Sequence, residues 1–170
     1  MALIKTSYPA TSSVALTLAI ASLGSDTNLL GGRASTAVDN ATSTLDLDHL
    51  LSGVVTTGTS PTAGTQIEIW AYSSYKTASG TPTYPDSITG TDASKTMTSA
   101  NVKFSALRQV ASITIDATSS RPYTFAPVSI ASLFGTLPKY WGIFVTHNTG
   151  VALSSTGQDF QYERIQAQTV

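Results

Sequence analysis

At 170 residues, with 41% apolar and only 11% charged side chains, the chain is long enough for one well-buried core and short for two. Its nine Lys and Arg are scattered and the net charge is −1, so no basic stripe exists to neutralise phosphates and nucleic acid is not an expected partner. Cysteine is absent, which removes disulfides, thiolate metal sites and a cysteine nucleophile; no apolar run reaches the ~18 residues of a membrane span, so no membrane partner is expected.

The missing charge is replaced by 50 Ser and Thr. Thr favours strands and both residues favour turns, so the composition predicts an all-β protein. A neutral surface of this kind is easier to bury against another subunit than a Lys/Glu surface, which points to a component of a homo-oligomeric assembly.

In chain order, Met1 to Ser13 is small and polar around Tyr8-Pro9 and reads as an N-terminal arm, with residues 14–170 forming one domain. Val14, Leu16, Leu18 and Ile20 alternate with small or polar residues. That pattern predicts a strand over Val14–Leu23 rather than the apolar region of a secretory signal, which the segment resembles through Lys5 and its small flanking residues. Turns at Gly24–Thr27 and Gly31-Gly32 bracket Leu29-Leu30, read as a plug at the end of the core, and Arg33–Val38 is a short strand ended by Asp39-Asn40. Leu45–Leu51 fits a strand through Leu45 and Leu47 alternating with Asp46 and Asp48, and a helical face through Leu47, Leu50 and Leu51. The strand, continuing into Val54–Thr57, is the favoured reading. After turn chemistry at Gly58–Gly64, Gln66–Tyr72 is the clearest alternating strand: Ile67, Ile69 and Ala71 face one way, Gln66, Glu68, Trp70 and Tyr72 the other.

From Ser73 to Asn101 the core signal nearly disappears, leaving Tyr84, Ile88 and Met97 isolated among Ser, Thr, Gly and Pro. A loop of this length is either functional, here an excursion contacting a neighbouring subunit, or packed against its own sandwich. Val102–Phe104 predicts a short strand and Arg108–Asp116 a better one, with Ala111, Ile113 and Ile115 in phase; Pro122–Pro127 is held extended by its prolines. Ile130, Leu133 and Phe134, with Ser129 as cap and Gly135 as stop, predict one short helix at 129–134. Tyr140–His147 is the densest aromatic and β-branched run, apolar on both faces like a central strand, and Asn148-Thr149-Gly150 before Val151–Leu153 reads as a hairpin turn. In the last strand Phe160 and Tyr162 share one face and Ile165 and Ala167 the other, which predicts a bulge near Glu163-Arg164. About eight strands at near-regular spacing fit a single-domain antiparallel β-sandwich, with the jelly roll as preferred topology.

Catalytic patterns are missing. The G-x-S-x-G elbow does not occur, and His49 and His147 sit in no motif; His147 reads as an exposed turn residue and His49 as structural. Glu68 and Glu163, the only glutamates, stand alone on strand-like segments and read as solvent-facing, not as a glycosidase pair. Asp46 and Asp48 would share one strand face, where carboxylates can hold calcium, but no calcium-loop motif accompanies them, and no Walker or dinucleotide loop is present. The expectation is therefore a non-enzymatic protein without metal or cofactor. Asn40-Ala-Thr42 matches the glycosylation sequon, a frequent chance match in a Thr-rich chain. Trp70 and Tyr72 have three readings: core of a central strand, centre of a protein interface, or platform for stacking a sugar. With Tyr8 on the arm and Tyr84 in the long loop, they are the interface candidates.

The runs Phe125–Gly135, Pro138–Gly150 and Gly64–Tyr72 resemble small structural proteins of tailed bacteriophages, a likeness of pattern that spans roughly residues 14 to 167 and transfers no functional residue. The resemblance implies a β-sandwich or jelly roll and a place on the virion, at the capsid surface. There the chain would act as a decoration or cement protein, a symmetric homo-oligomer such as a trimer, binding the major capsid protein through its loops and N-terminal arm. The alternative is a carbohydrate-binding module of a phage tail or surface lectin, with glycan as partner and Trp70, Tyr72 or Tyr140 as platform. A tail or baseplate subunit is a third reading that composition does not separate from the first.

Overall fold

The structure, a computed structural model, describes residues 4–9, 11–41, 46–78 and 81–169. Its strands are β1 (Ile4–Ser7), β2 (Ser13–Ala15), β3 (Gly31–Ala34), β4 (Val38–Asp39), β5 (Asp46–Thr56), β6 (Gln66–Ser73), β7 (Lys76–Ala78), β8 (Thr81–Thr83), β9 (Ala93–Thr96), β10 (Arg108–Thr114), β11 (Pro122–Ser129), β12 (Tyr140–His147) and β13 (Asp159–Thr169). Two short helices, α1 (Ala100–Ala106) and α2 (Ile130–Phe134), complete the described elements.

Two antiparallel sheets carry the fold. Sheet A runs β1-β13-β5-β11 with β2 also on β13; sheet B runs β10-β6-β12-β3-β9 with β4 also on β12; β7 and β8 form a separate ribbon. Taking β2, β3, β5, β6, β10, β11, β12 and β13 as strands one to eight, the sheets read 1-8-3-6 and 2-7-4-5. That is the strand order of a jelly roll, in which first and last strands lie side by side. The all-β sandwich read from the sequence is the observed fold.

Between the sheets lies a core of Ile20, Leu51, Val55, Ile67, Ile69, Trp141, Ile143, Val145 and Phe160 among others, each side chain contributing about 1.5–3 kcal/mol by burial. A second core lies on the other face of sheet B, where Trp70, Tyr72, Phe144 and Ala34 are covered by Ile88, Met97 and Leu107. Described residues of the long Ser73–Asn101 excursion thus pack on its own sandwich: β9 pairs with β3, and Met97 N–H donates to Leu30 O.

Several elements differ from the sequence reading. Of the Val14–Leu23 segment only Val14 and Ala15 pair as a strand, within β2. Leu16 N–H still bonds Phe160 O of sheet A, while Thr17 O accepts from Thr36 beside sheet B, so the apolar alternation belongs to a segment crossing between the sheets. Val102–Phe104 is helix, capped by the Ser99 side chain, which accepts from Val102 N–H. Residues 151–153 form no strand. The turn after β12 is tied to the 62–66 loop, with Thr62 N–H donating to Thr149 O and Asn148 N–H to Gln66 O, and β12 finds its partners in β6, β3 and β4. The bulge expected near Glu163-Arg164 of β13 lies instead on the facing strand: consecutive Ile165 and Gln166 pair with Asp48 and Asp46, which leaves Leu47 of β5 as the extra residue. In the arm, Ile4–Ser7 pairs with Gln166–Thr169 as an edge strand. Leu45 of the β5 reading and Thr42 of the sequon lie outside the described residues.

Candidate binding cleft at the end of the sandwich

Along β5 and β13 the inward face changes from apolar to polar. Leu51 opposes Tyr162, His49 opposes Arg164 and Asp46 opposes Gln166, and residues directly opposite share a face. Strict alternation would set Asp46 beside Asp48 and opposite to His49. Leu47 is instead an extra residue in β5, since Ile165 pairs with Asp48 and Gln166 with Asp46. The bulge resets the phase, turns Leu47 outward at 53% exposure and brings Asp46 inward beside His49.

A chain of hydrogen bonds follows. Trp141 Nε1–H donates to His49 Nδ1 at 2.8 Å, and His49 Nε2 lies 2.9 Å from Asp46 Oδ2. Asp46 also accepts from Arg164 Nε at 3.0 Å and from Gln166 Nε2 at 2.6 Å. An indole nitrogen only donates, so Nδ1 of His49 is unprotonated and the ring is neutral with its proton on Nε2. Burial pushes the His49 pKa below its ordinary value against the pull of Asp46. Burial also pushes the Asp46 carboxyl up, but its bonds to His49, Gln166 and Arg164 together outweigh that and hold it low. Both nitrogens of His49 are taken by protein partners, which leaves the ring no proton to give or accept without breaking the chain.

Above this cluster a cleft of about 190 Å³ opens between the sheets, lined by Val14, Val38, Asp39, Asp46, His49, Tyr162 and Arg164. Sheet A supplies Val14 from β2, Asp46 and His49 from β5, and Tyr162 and Arg164 from β13; sheet B supplies Val38 and Asp39 from β4. The Tyr162 ring is wedged against His49 and Trp141, with centroids 4.6 and 5.5 Å away. Among the described residues, no protein acceptor meets the Tyr162 hydroxyl or the two terminal nitrogens of Arg164.

The residues singled out in the sequence lie elsewhere. Trp70 and Tyr72 are 3% and 0% exposed, so neither offers a ring to a sugar or a subunit; sheet B is covered on both faces, and they are core. Tyr84 is half-buried against Tyr72, edge to face at 5.6 Å, and Tyr8 is exposed. Glu68 is not solvent-facing: its Oε2 accepts from Lys103 Nζ at 2.7 Å and from Trp70 Nε1 at 2.9 Å beneath α1, while Glu163 is exposed. His147 is wholly buried, with Nε2 on Leu23 O and Nδ1 beside the Thr149 hydroxyl, both at 3.0 Å, and burial lowers its pKa. Asp48 and Asp46 do not meet over a shared ion. Asp48 caps α2 by accepting from Ser129 Oγ and Ala131 N–H, and no metal-ligand cluster occurs among the described residues.

The Asp46–His49–Arg164–Gln166 cluster and the Lys103–Glu68 pair were not found by sequence reasoning. The first depends on a bulge that no residue type announces. The second had a signal in Ser99 followed by Val102 and Ala106, a capped helix that would carry Lys103 toward the sheet. Comparison with family models, with curated proteins and with solved structures finds no match for this chain.

Proposed function

We propose that the chain is a non-enzymatic structural protein of a tailed-phage virion, a homo-oligomeric decoration or cement subunit bound to the major capsid protein at the capsid surface. The observation that carries this reading is the 1-8-3-6 and 2-7-4-5 strand order, the jelly roll that recurs in viral capsid domains. The surface composition supports it: with 11% charged residues in the whole chain, much of the exterior is neutral Ser and Thr, cheap to desolvate against a neighbour. The arm supports it as well, because β1 is a sheet edge with Ile4 74% exposed, followed by Tyr8 at 57%.

The test pairs light scattering of the purified protein with co-sedimentation on undecorated capsids assembled from the major capsid protein of the same genome. A symmetric oligomer that pellets with the capsids is the expected result. A monomer that stays in the supernatant sinks the proposal. Locating the protein in an imaged virion separates the capsid from a tail or baseplate position.

A further inference from the structure

We propose that His147 is an acid-released catch at one end of the sandwich: when its ring takes up a proton, the seam between residues 22–26 and 147–154 opens locally while the two sheets stay folded. This goes beyond the capsid reading and does not depend on it.

The seam joins two stretches that lie mostly outside the strands, one between β2 and β3 and one between β12 and β13. Ser22 N–H donates to Ser154 O at 3.2 Å, Leu153 N–H to Leu23 O at 2.9 Å and Asp26 N–H to His147 O at 2.8 Å. Gly150 N–H adds a bond to Ser25 Oγ at 3.0 Å. The His147 ring closes the set from inside, since a carbonyl only accepts and Nε2–H therefore donates to Leu23 O at 3.0 Å. Ser154 N–H donates to Thr56 O, the last residue of β5, so the seam covers the end of the sandwich away from Asp46 and His49. Ile20 and Leu153 of the main core are buried beneath it.

The ring has room for no second charge. Its Nδ1 lies 3.0 Å from Thr149 Oγ, which donates its own proton to Val151 O. A proton on Nδ1 would thus find a hydroxyl oxygen but no anion. Asp26, on the facing stretch, spends its carboxylate on the N–H groups of Asn28, Leu30 and Gly31. Glu68 on β6, opposite Thr146, is held by Lys103 and Trp70 beneath α1. Residues 149–153 and the 62–66 loop contain no titratable side chain. Among the described residues no carboxylate comes within ion-pair distance of His147, whereas Asp46 lies 2.9 Å from His49. An imidazolium here is a wholly buried charge without a partner, and opening the seam returns it to water.

Opening is also the cheaper of the two escapes. It breaks a few loop bonds and leaves both sheet ladders intact, the kind of sub-global motion that precedes complete unfolding. Ser22 gains by it, because φ 57° places a non-glycine residue in the left-handed region. The sign follows from linkage. The freed ring titrates near the ordinary 6.5 and the enclosed ring lower, so opening takes up one proton and is favoured as pH falls below about 6.5.

The experiment is NMR hydrogen exchange of the intact protein between pH 7.5 and pH 5, with rates expressed as protection factors. Amides of Ser22, Asp26 and Leu153 are expected to lose protection about tenfold per pH unit below about 6.5, and to stay less protected than those of β6 and β12. His147→Gln keeps an amide donor for Leu23 O without a titrating group and should flatten that slope. Protection at these three amides that does not change with pH, or that equals that of β6 and β12, would overturn the proposal. So would the same slope in a folded His147→Gln protein; where the variant does not fold, the parent slope decides alone.

Discussion

Trp141 is a wholly buried indole, and His49 is the partner that lets its one polar atom sit in the core. Trp141→Phe keeps most of the apolar volume but leaves His49 Nδ1 buried without a donor, at an expected cost of about 1–3 kcal/mol in urea unfolding. The titration of such groups has a definite sign. Burial holds both His49 and His147 below the ordinary 6.5, so as pH falls below that value the unfolded chain takes up protons that the native chain refuses. Their contribution is full above about 6.5 and is lost as pH falls toward the native values. Asp46 acts in the same direction at lower pH: its contribution is present above the ordinary 3.8 and is lost as pH falls through its lowered native pKa. Calorimetry from pH 8 to pH 5 should show a falling Tm, with a shallower fall in His147→Asn; a flat profile would contradict the burial of these rings. None of these residue-level partnerships was legible. His49 and Asp46 stand three apart in a strand, which alternation alone places on opposite faces, and only the extra residue at Leu47 brings them together.

At the scale of elements, β6 shows what local pattern can and cannot say. Its alternation of Ile67, Ile69 and Ala71 with Glu68, Trp70 and Tyr72 placed the strand correctly, because period two follows from the backbone. Whether the second face met water, a sugar or more protein depended on residues 84–107, which carry few apolar side chains and spread them thinly. Trp70→Ala thus becomes a test of stability rather than of glycan stacking: it should cost about 3–5 kcal/mol. Phe104→Ser, at a residue 59% exposed whose ring meets Trp70 edge to face at 5.3 Å, should cost only about 0.5–1.5 kcal/mol. Equal effects in denaturant titration would mean that the second core does not form. A tighter constraint lies at Gly142 in β12, where a Cβ would sit 2.4 Å from the Tyr72 ring and hydroxyl. Gly142→Ala should therefore cost about 1–3 kcal/mol through displacement of that ring. The helix α2 was legible because everything that specifies it is local: the Ser129 cap, the spacing of Ile130, Leu133 and Phe134, and Gly135 at φ 84°.

For the whole molecule, the fold class was readable from the spacing of turns and apolar runs, whereas the number of strands (about eight expected, thirteen among the described residues) and their order were not. Order is set by pairings such as Leu51 with Tyr162 and Ile69 with Val145, far apart in sequence, and no local signal names a distant partner. The resulting hierarchy should appear in hydrogen exchange. Amides of β6 and β12, central in a sheet covered on both sides, should exchange slowest, and those of β1, exposed at an edge, among the fastest. The strand order also bears on how the protein is made. β13 is the last strand and yet the inner neighbour of β5, β2 and β1, so these three have no lateral partner on that side until residues 159–169 have left the ribosome. A nascent chain or a fragment cut before Asp159 carries a half-built sheet with open edges, the kind of surface on which chains aggregate. Deleting the eleven residues of β13 should therefore abolish soluble expression.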